Sequence, residues 1–166
     1  MMDGEKRSVD ELIQMALRYR TYWKDGGGIT VSGGEPLMQM DFLIELFKKA
    51  KKEGIHTTID TSGAPFTRND PFFGKFNELM NYTDLLLVDL KHIDEEQHRI
   101  LTGHTNVNIL DMAQYLSDID KPVWIRHVLV PERNDEDKYL KQLYNFIKGL
   151  KNIQKVEVLP YHTLGE

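Results

Sequence analysis

The order of its apolar runs constrains this chain more than any other feature. Short runs of strand character alternate with longer runs at helical spacing, and no hairpin turn signal separates two strand runs. Alternation of this kind specifies a parallel sheet with helices in its connections, either a barrel or an open doubly wound sheet. Sequential parallel strands then need right-handed crossovers, so a helix must lie between each pair.

Ser8-Val9-Asp10-Glu11 is a capping box, with a hydroxyl at the cap and a carboxylate three residues on. Behind it Val9, Leu12, Ile13, Ala16 and Trp23 recur at helical spacing until Asp25-Gly26-Gly27-Gly28 interrupts them. A strand follows over 29–32 and ends in Gly33-Gly34-Glu35-Pro36. The next helix carries Phe42, Leu43, Leu46, Phe47 and Ala50 on one stripe and stops at Gly54, a C-terminal cap. A second strand over 55–60 runs into Thr61-Ser62-Gly63, and Asp70-Pro71 opens a third helix bearing Phe72, Phe73, Phe76, Leu79 and Met80.

Residues 84–90 are almost continuously apolar, as expected of a parallel strand covered on both faces. A helical turn is predicted over 94–101 and a fuller helix over 108–119, then a β run over 123–130. Asn134 is read as the cap of a helix carrying Leu140, Leu143, Tyr144 and Ile147, and a last strand over 156–159 ends in Pro160-Tyr161-His162. The pattern predicts five strands in a single domain over 1–166, opening on a helix where an α/β fold normally opens on a strand. A first strand is therefore expected to be missing.

Composition narrows the functional classes. The net charge of −5 and the scattered basic residues exclude a nucleic-acid footprint. The one basic cluster, Lys48-Lys49 with Lys51-Lys52, suits a solvated helix C-terminus. No apolar run approaches the roughly 20 residues of a membrane span, and the start is polar, so the expected location is the cytoplasm. The cysteine count is zero, which excludes disulfides, thiolate zinc sites and an iron–sulfur cluster on this chain's own thiolates.

In parallel α/β folds ligands bind where the strand C-termini open. The polar residues at or near those ends are Glu35, Asp60, Asp89 with Lys91, and His162, with Arg126 inside the fourth strand. His56, Thr58 and Asp60 share one strand face, as do Leu87, Asp89 and Lys91. Each has a plain structural alternative: Asp60 capping a turn through Ser62, an Asp89–Lys91 ion pair, Arg126 against Trp124, a solvated His162. His56, His92, His98, His104 and His127 show no metal-ligand spacing and are read as surface or hydrogen-bonded residues. Taken together, the strand-end residues suit a zwitterionic ligand with a polar tail. Glycine backbone can approach an amino-acid head group, Glu35 can accept from its ammonium, and Lys91 and Arg126 can hold its carboxylate.

Ser32-Gly33-Gly34-Glu35-Pro36, Asp60-Thr61-Ser62-Gly63, Asp89-Leu90-Lys91, Trp124-Ile125-Arg126 and Leu159-Pro160-Tyr161-His162 stand in one order along the chain. With Lys51 to Thr57 and Leu101 to His104, this order resembles the glycyl-radical-enzyme activases of the radical S-adenosylmethionine (SAM) superfamily, most closely the type acting on pyruvate formate-lyase. The resemblance runs from about Ser8 to Gly165 and implies a partial (β/α)6 TIM-like barrel that binds SAM at its open end. By motif, Gly33, Gly34 and Glu35 would meet the methionine amino group, and Asp60, Ser62, Lys91, Arg126 and His162 would line the rest of the site. Asp60, Thr61 and Asp89 would hold a monovalent cation near the SAM carboxylate. The family implies a [4Fe–4S] cluster, a flavodoxin- or ferredoxin-type electron donor, and a glycyl radical enzyme as partner.

The departures matter as much. The cluster loop CxxxCxxC of the family has no counterpart here, and the family continues beyond the Pro-Tyr-His strand. The chain is accordingly expected to be a fragment, inactive by itself in SAM cleavage, with an open first-strand edge that invites self-association. Two other readings stay open: an activase of a different glycyl radical enzyme, and a non-catalytic nucleotide- or partner-binding barrel.

Overall fold

The computed structural model describes residues 8–18 and 28–160. Trp23, Tyr161 and His162, all used in the sequence reading, lie outside the described residues. The elements run α1 (Val9–Arg18), β1 (Gly28–Val31), a 3-10 turn (Pro36–Gln39), α2 (Met40–Lys52), β2 (His56–Thr61), α3 (Phe72–Met80) and β3 (Leu85–Asp89). They continue with α4 (Glu95–Thr102), α5 (Val107–Asp118), β4 (Val123–Leu129), α6 (Asp137–Lys148) and β5 (Ile153–Pro160). The five strands form one parallel sheet in the order β1-β2-β3-β4-β5, each following its predecessor through at least one helix.

The chain gathers into two compact units, residues 1–61 with 65–86 and residues 62–64 with 87–166. In the first, Leu43, Leu46, Phe47 and Ala50 of α2 are buried together with Ile55 and Ile59 of the segment entering β2. Burying side chains of this size contributes about 1.5–3 kcal/mol each, so the stripe at helical spacing is what fixes α2. Phe66 is surrounded edge-on by Phe72, Phe73 and Phe76, the last at 5.1 Å between ring centres. Gly28 pairs with His56 across β1 and β2, and a Cβ there would overlap the His56 carbonyl.

The predicted helix starts hold where the signal is local. The Glu11 amide donates to Ser8 Oγ and the Ser8 amide to Glu11 Oε1, so the capping box closes. Asp94 caps α4 by accepting from the Gln97 amide. Asp70 Oδ1 accepts from the Gly74 amide, although Pro71 is the cap residue of α3. The basic cluster is more engaged than a solvated face. Lys49 pairs with Asp10, Lys48 lies over the Tyr82 ring, and Lys51 pairs with Asp84 at the foot of β3.

Asp84 also accepts from the Thr57 amide at 2.9 Å, in the same unit. Burial raises its pKa, but Lys51 and the Thr57 amide outweigh that, and the carboxyl ends below its ordinary range.

In the second unit Ile109, Met112, Ala113 and Leu116 of α5 are buried with Val123 and Ile125 of β4. Packing thins toward β5. Helix α6 buries only Leu143, and no residue of β5 is buried. Val156, Val158 and Leu159 remain between 40% and 50% exposed.

Asn134 does not cap α6. Glu136 is the cap residue, and the Asn134 side chain turns back to Val130, Val128 and Lys91. An asparagine upstream of a helix resembles a cap in sequence. Here the carbonyls of Lys91 and Val128 and the Val130 amide compete for its side chain, and they win.

Candidate functional site

In the first unit β1 ends at Val31 and the chain turns through Ser32, Gly33 and Gly34, all exposed. Gly33 has φ 84° and Gly34 φ 59°, the left-handed region that side chains with a Cβ enter at a cost. Two such residues in succession turn the chain directly into the Pro36–Gln39 helical turn, of which Glu35 is the cap. Glu35 Oε2 accepts from the Leu37 amide at 3.0 Å and from Thr61 Oγ at 2.6 Å. One carboxylate oxygen therefore ties the end of β1 to the end of β2. The sequence reading assigns Glu35 to a ligand ammonium; in the structure its Oε2 also holds the turn, whose exposed residues are Ser32, Gly33 and Gly34.

Asp60 is half-buried, while its neighbours Ile59 and Thr61 are buried on the other face of β2. The shared face of His56 and Thr58 is real, with Thr58 Oγ 3.4 Å from His56 Nδ1. Among the described residues no group of three or more His, Asp or Glu side chains gathers to hold a metal ion.

Ser62 and Asp89 belong to the second unit. Ser62 Oγ accepts from the Ala64 amide at 3.2 Å, so the hydroxyl stabilises its own turn. Exposure rises along one face of β3 and beyond, from buried Leu87 through half-buried Asp89 to exposed Lys91. Arg126 Nε lies 3.2 Å from Glu157 Oε1 across the β4–β5 pair. That bond outweighs burial, which acts the other way, and with the Lys155 charge holds the Glu157 carboxyl below its ordinary range. Lys155 Nζ lies 4.8 Å from the centre of the Trp124 ring, the ring weighed in the sequence as a partner of Arg126. Residues two apart on a strand point the same way, and the cation over Trp124 comes from the neighbouring strand.

Of the histidines, His56 and His104 are exposed, while His92, His98 and His127 are buried and hydrogen-bonded, His98 only through Nδ1, its Nε2 being buried without a partner. His92 Nδ1 accepts from the Asp94 amide, which assigns the proton to Nε2, the donor to Arg133 O at 3.0 Å. Burial pushes the His92 pKa down, and the ring stands edge-on to Tyr139. His127 Nδ1 bonds Leu90 O at 2.7 Å and His98 Nδ1 bonds His104 O at 2.6 Å. Sequence reasoning missed Asn106, and it gave Asn134 and Thr61 other roles, a helix cap and a cation ligand. All three are nearly inaccessible polar groups; Thr61 stands inside the Asp-Thr-Ser-Gly segment, whereas Asn106 and Asn134 lie far along the chain from Asp-Leu-Lys and carry no local signal.

A family model for the radical SAM superfamily matches residues 2–144. The chain belongs to the radical SAM superfamily. It is 53% identical over 161 residues to a pyruvate formate-lyase-activating enzyme of Streptococcus mutans, covering 97% of this chain and 61% of that protein. Against the enzyme of the same name from Staphylococcus epidermidis the identity is 51% over 159 residues, 95% of this chain and 63% of the relative. A crystal structure of a domain of pyruvate-formate lyase-activating enzyme from Bacteroides vulgatus aligns with TM-score 0.73 and 32% identity, over 83% of each chain. Streptococcus suis SuiB bound to S-adenosylmethionine aligns with TM-score 0.76 at 17% identity, over 99% of this chain and 36% of that one, a likeness of fold. The radical SAM chain described here has the α/β fold with five parallel strands expected of it and is about half identical to curated pyruvate formate-lyase-activating enzymes. It spans somewhat under two thirds of the length of the first of these relatives.

Proposed function

We propose that this chain is the SAM-binding part of a pyruvate formate-lyase-activating enzyme. The observation that carries the reading is the Ser32–Gly34 turn. Its two left-handed glycines leave backbone groups exposed, and Glu35 anchors it to Thr61, in a chain about half identical to enzymes of that name. Backbone at such a turn can approach an ammonium as no residue with a Cβ allows.

In this reading Gly33, Gly34 and Glu35 present the turn to the amino-acid head, and Lys91 and Arg126 answer its carboxylate. Asp60, Ser62 and His162 contribute polar groups toward the rest of the ligand. A monovalent cation at Asp60, Thr61 and Asp89 is part of the same proposal. When bound, SAM supplies a sulfonium centre from which a 5′-deoxyadenosyl group can leave. This chain's residues bind and orient it.

The iron–sulfur cluster of the family does not fit the residues present. With no cysteine, the chain offers no thiolate to hold it. No chemical step is assigned through a cluster, and the chain alone is proposed to be inactive in SAM cleavage. The proposed setting is the cytoplasm, since no described helix is long and apolar enough to cross a membrane. The partner is proposed to be pyruvate formate-lyase, with a flavodoxin- or ferredoxin-type protein as electron donor. Self-association along the β1 edge, beyond which no described strand lies, is part of the same proposal, and the chain is read as a single partial-barrel domain.

Titration calorimetry with S-adenosylhomocysteine tests the reading. Saturable binding that weakens on Gly34→Val supports it. No binding at millimolar ligand by a folded chain refutes it.

A further inference from the structure

Beyond Asp89 the chain leaves the sheet, yet its next four carbonyls are not left to water. His127 Nδ1 donates to Leu90 O at 2.7 Å, and Asn134 Nδ2 to Lys91 O at 3.0 Å. Asn106 Nδ2 donates to both His92 O at 3.0 Å and Ile93 O at 2.7 Å. The Leu90 amide donates to Arg126 O at 2.9 Å. His127, Asn134 and Asn106 are each at most 3% exposed. Side chains have taken over the work of a strand neighbour along an extended segment whose one exposed side chain is Lys91.

Asn134 is the member aimed at Lys91 itself. Its amide nitrogen also donates to Val128 O at 2.8 Å, and its oxygen accepts from the Val130 amide at 2.7 Å. Both amide protons and the oxygen are therefore used, which leaves the side chain one orientation. A buried, fully satisfied polar network is rigid, because any other rotamer would orphan a buried group. The position and direction of the Lys91 Cα–Cβ bond follow from that rigidity.

We propose that Asn134 is a positioning residue for ligand binding: its buried amide locks the Lys91 backbone and thereby sets where the exposed Lys91 ammonium meets the carboxylate of an amino-acid-bearing nucleoside ligand. The inference rests on the SAM reading above and names a residue that reading does not use. Asn134 touches no ligand in this account; it acts through Lys91.

A purely architectural role would show differently. A variant that only lowers the competent fraction weakens every ligand by the same factor. S-adenosylhomocysteine and 5′-methylthioadenosine share the adenosine and thioether and differ in the amino-acid group. The affinities of the 166-residue chain for both should be measured by calorimetry, in the unsubstituted form and as Asn134→Asp, Asn134→Ser and Lys91→Met. Asp keeps the shape and the acceptor but removes both donors; Ser is the milder variant should the buried carboxylate prevent folding. The preference for S-adenosylhomocysteine should drop by about fivefold or more in Asn134→Asp, with 5′-methylthioadenosine affinity unchanged per folded molecule. Lys91→Met should lose the same preference, and adding Asn134→Asp to it should cost nothing further. Equal weakening of both ligands, or the same loss in the Lys91→Met background, overturns the role of Asn134 while leaving the SAM reading in place. Failure of the folded, unsubstituted chain to bind either ligand removes both.

Discussion

Thr61→Val removes one hydroxyl and almost nothing else. The residue is 2% exposed, valine matches its shape, and both suit a strand. What is lost is the 2.6 Å bond to Glu35, a hydrogen bond to a carboxylate. Such bonds contribute about 1.5–3 kcal/mol net. Glu35 is only half-buried, so water can replace the lost donor in part, and the lower end, about 1.5 kcal/mol, is the expected cost. In a chain of this length that lowers the melting temperature by roughly 3–6 °C.

The consequence for binding is more telling. Released from β2, the Ser32–Gly34 turn must be ordered by the ligand, and if most of the 1.5 kcal/mol appears there the S-adenosylhomocysteine affinity falls by up to about tenfold. Thr61→Ser, which keeps the hydroxyl and drops a methyl, should bind within about twofold of the parent. Thermal melts and calorimetry on the three proteins decide it. A Thr61→Val protein as stable and as tightly binding as the parent would refute the tie between β1 and β2.

Asp84→Asn should cost about 1–2 kcal/mol in urea unfolding at pH 7, by loss of a charge-assisted bond. The parent carboxyl sits lower folded than unfolded, so its contribution is complete above the unfolded pKa near 4 and is lost as pH falls through the folded value. The gap between parent and variant should therefore close in strong acid, and a gap independent of pH would count against the Lys51–Asp84 pair. Gly63 has φ 74°, and a Cβ there would come within 2.8 Å of Met112 Cε. Gly63→Ala should thus destabilise by more than about 1 kcal/mol in the same assay, a neutral result contradicting the turn geometry.

The legible part of this molecule is the part written in local spacing. The capping box at Ser8 and Glu11 closes within three residues, and the α2 stripe repeats within one helix, so neither needs knowledge of the fold. The apolar run ending at Asp89 announces a covered strand for the same reason. The misread part lies in contacts between distant positions. Thr61 reaches Glu35 across 26 residues, Asp84 reaches Lys51 across 33, and Asn134 reaches Lys91 across 43. Asn134 has the local look of a helix cap, and only the folded chain reveals the unpaired carbonyls that claim it. The strand-end residues Glu35, Asp60 and Lys91 were picked out as polar interruptions, but which of their atoms hold the scaffold was beyond reach of pattern.

The thinning of packing toward β5 has a practical corollary. Cooperative opening begins where few apolar contacts must break, and a strand without a buried residue, preceded by a helix whose one buried residue is Leu143, is such a place. A protease in brief contact with the folded protein would nick α6 or the turn before β5 long before it found α2. Arg126 would then lose Glu157, its partner across that strand pair, while the Phe66 cluster remained intact.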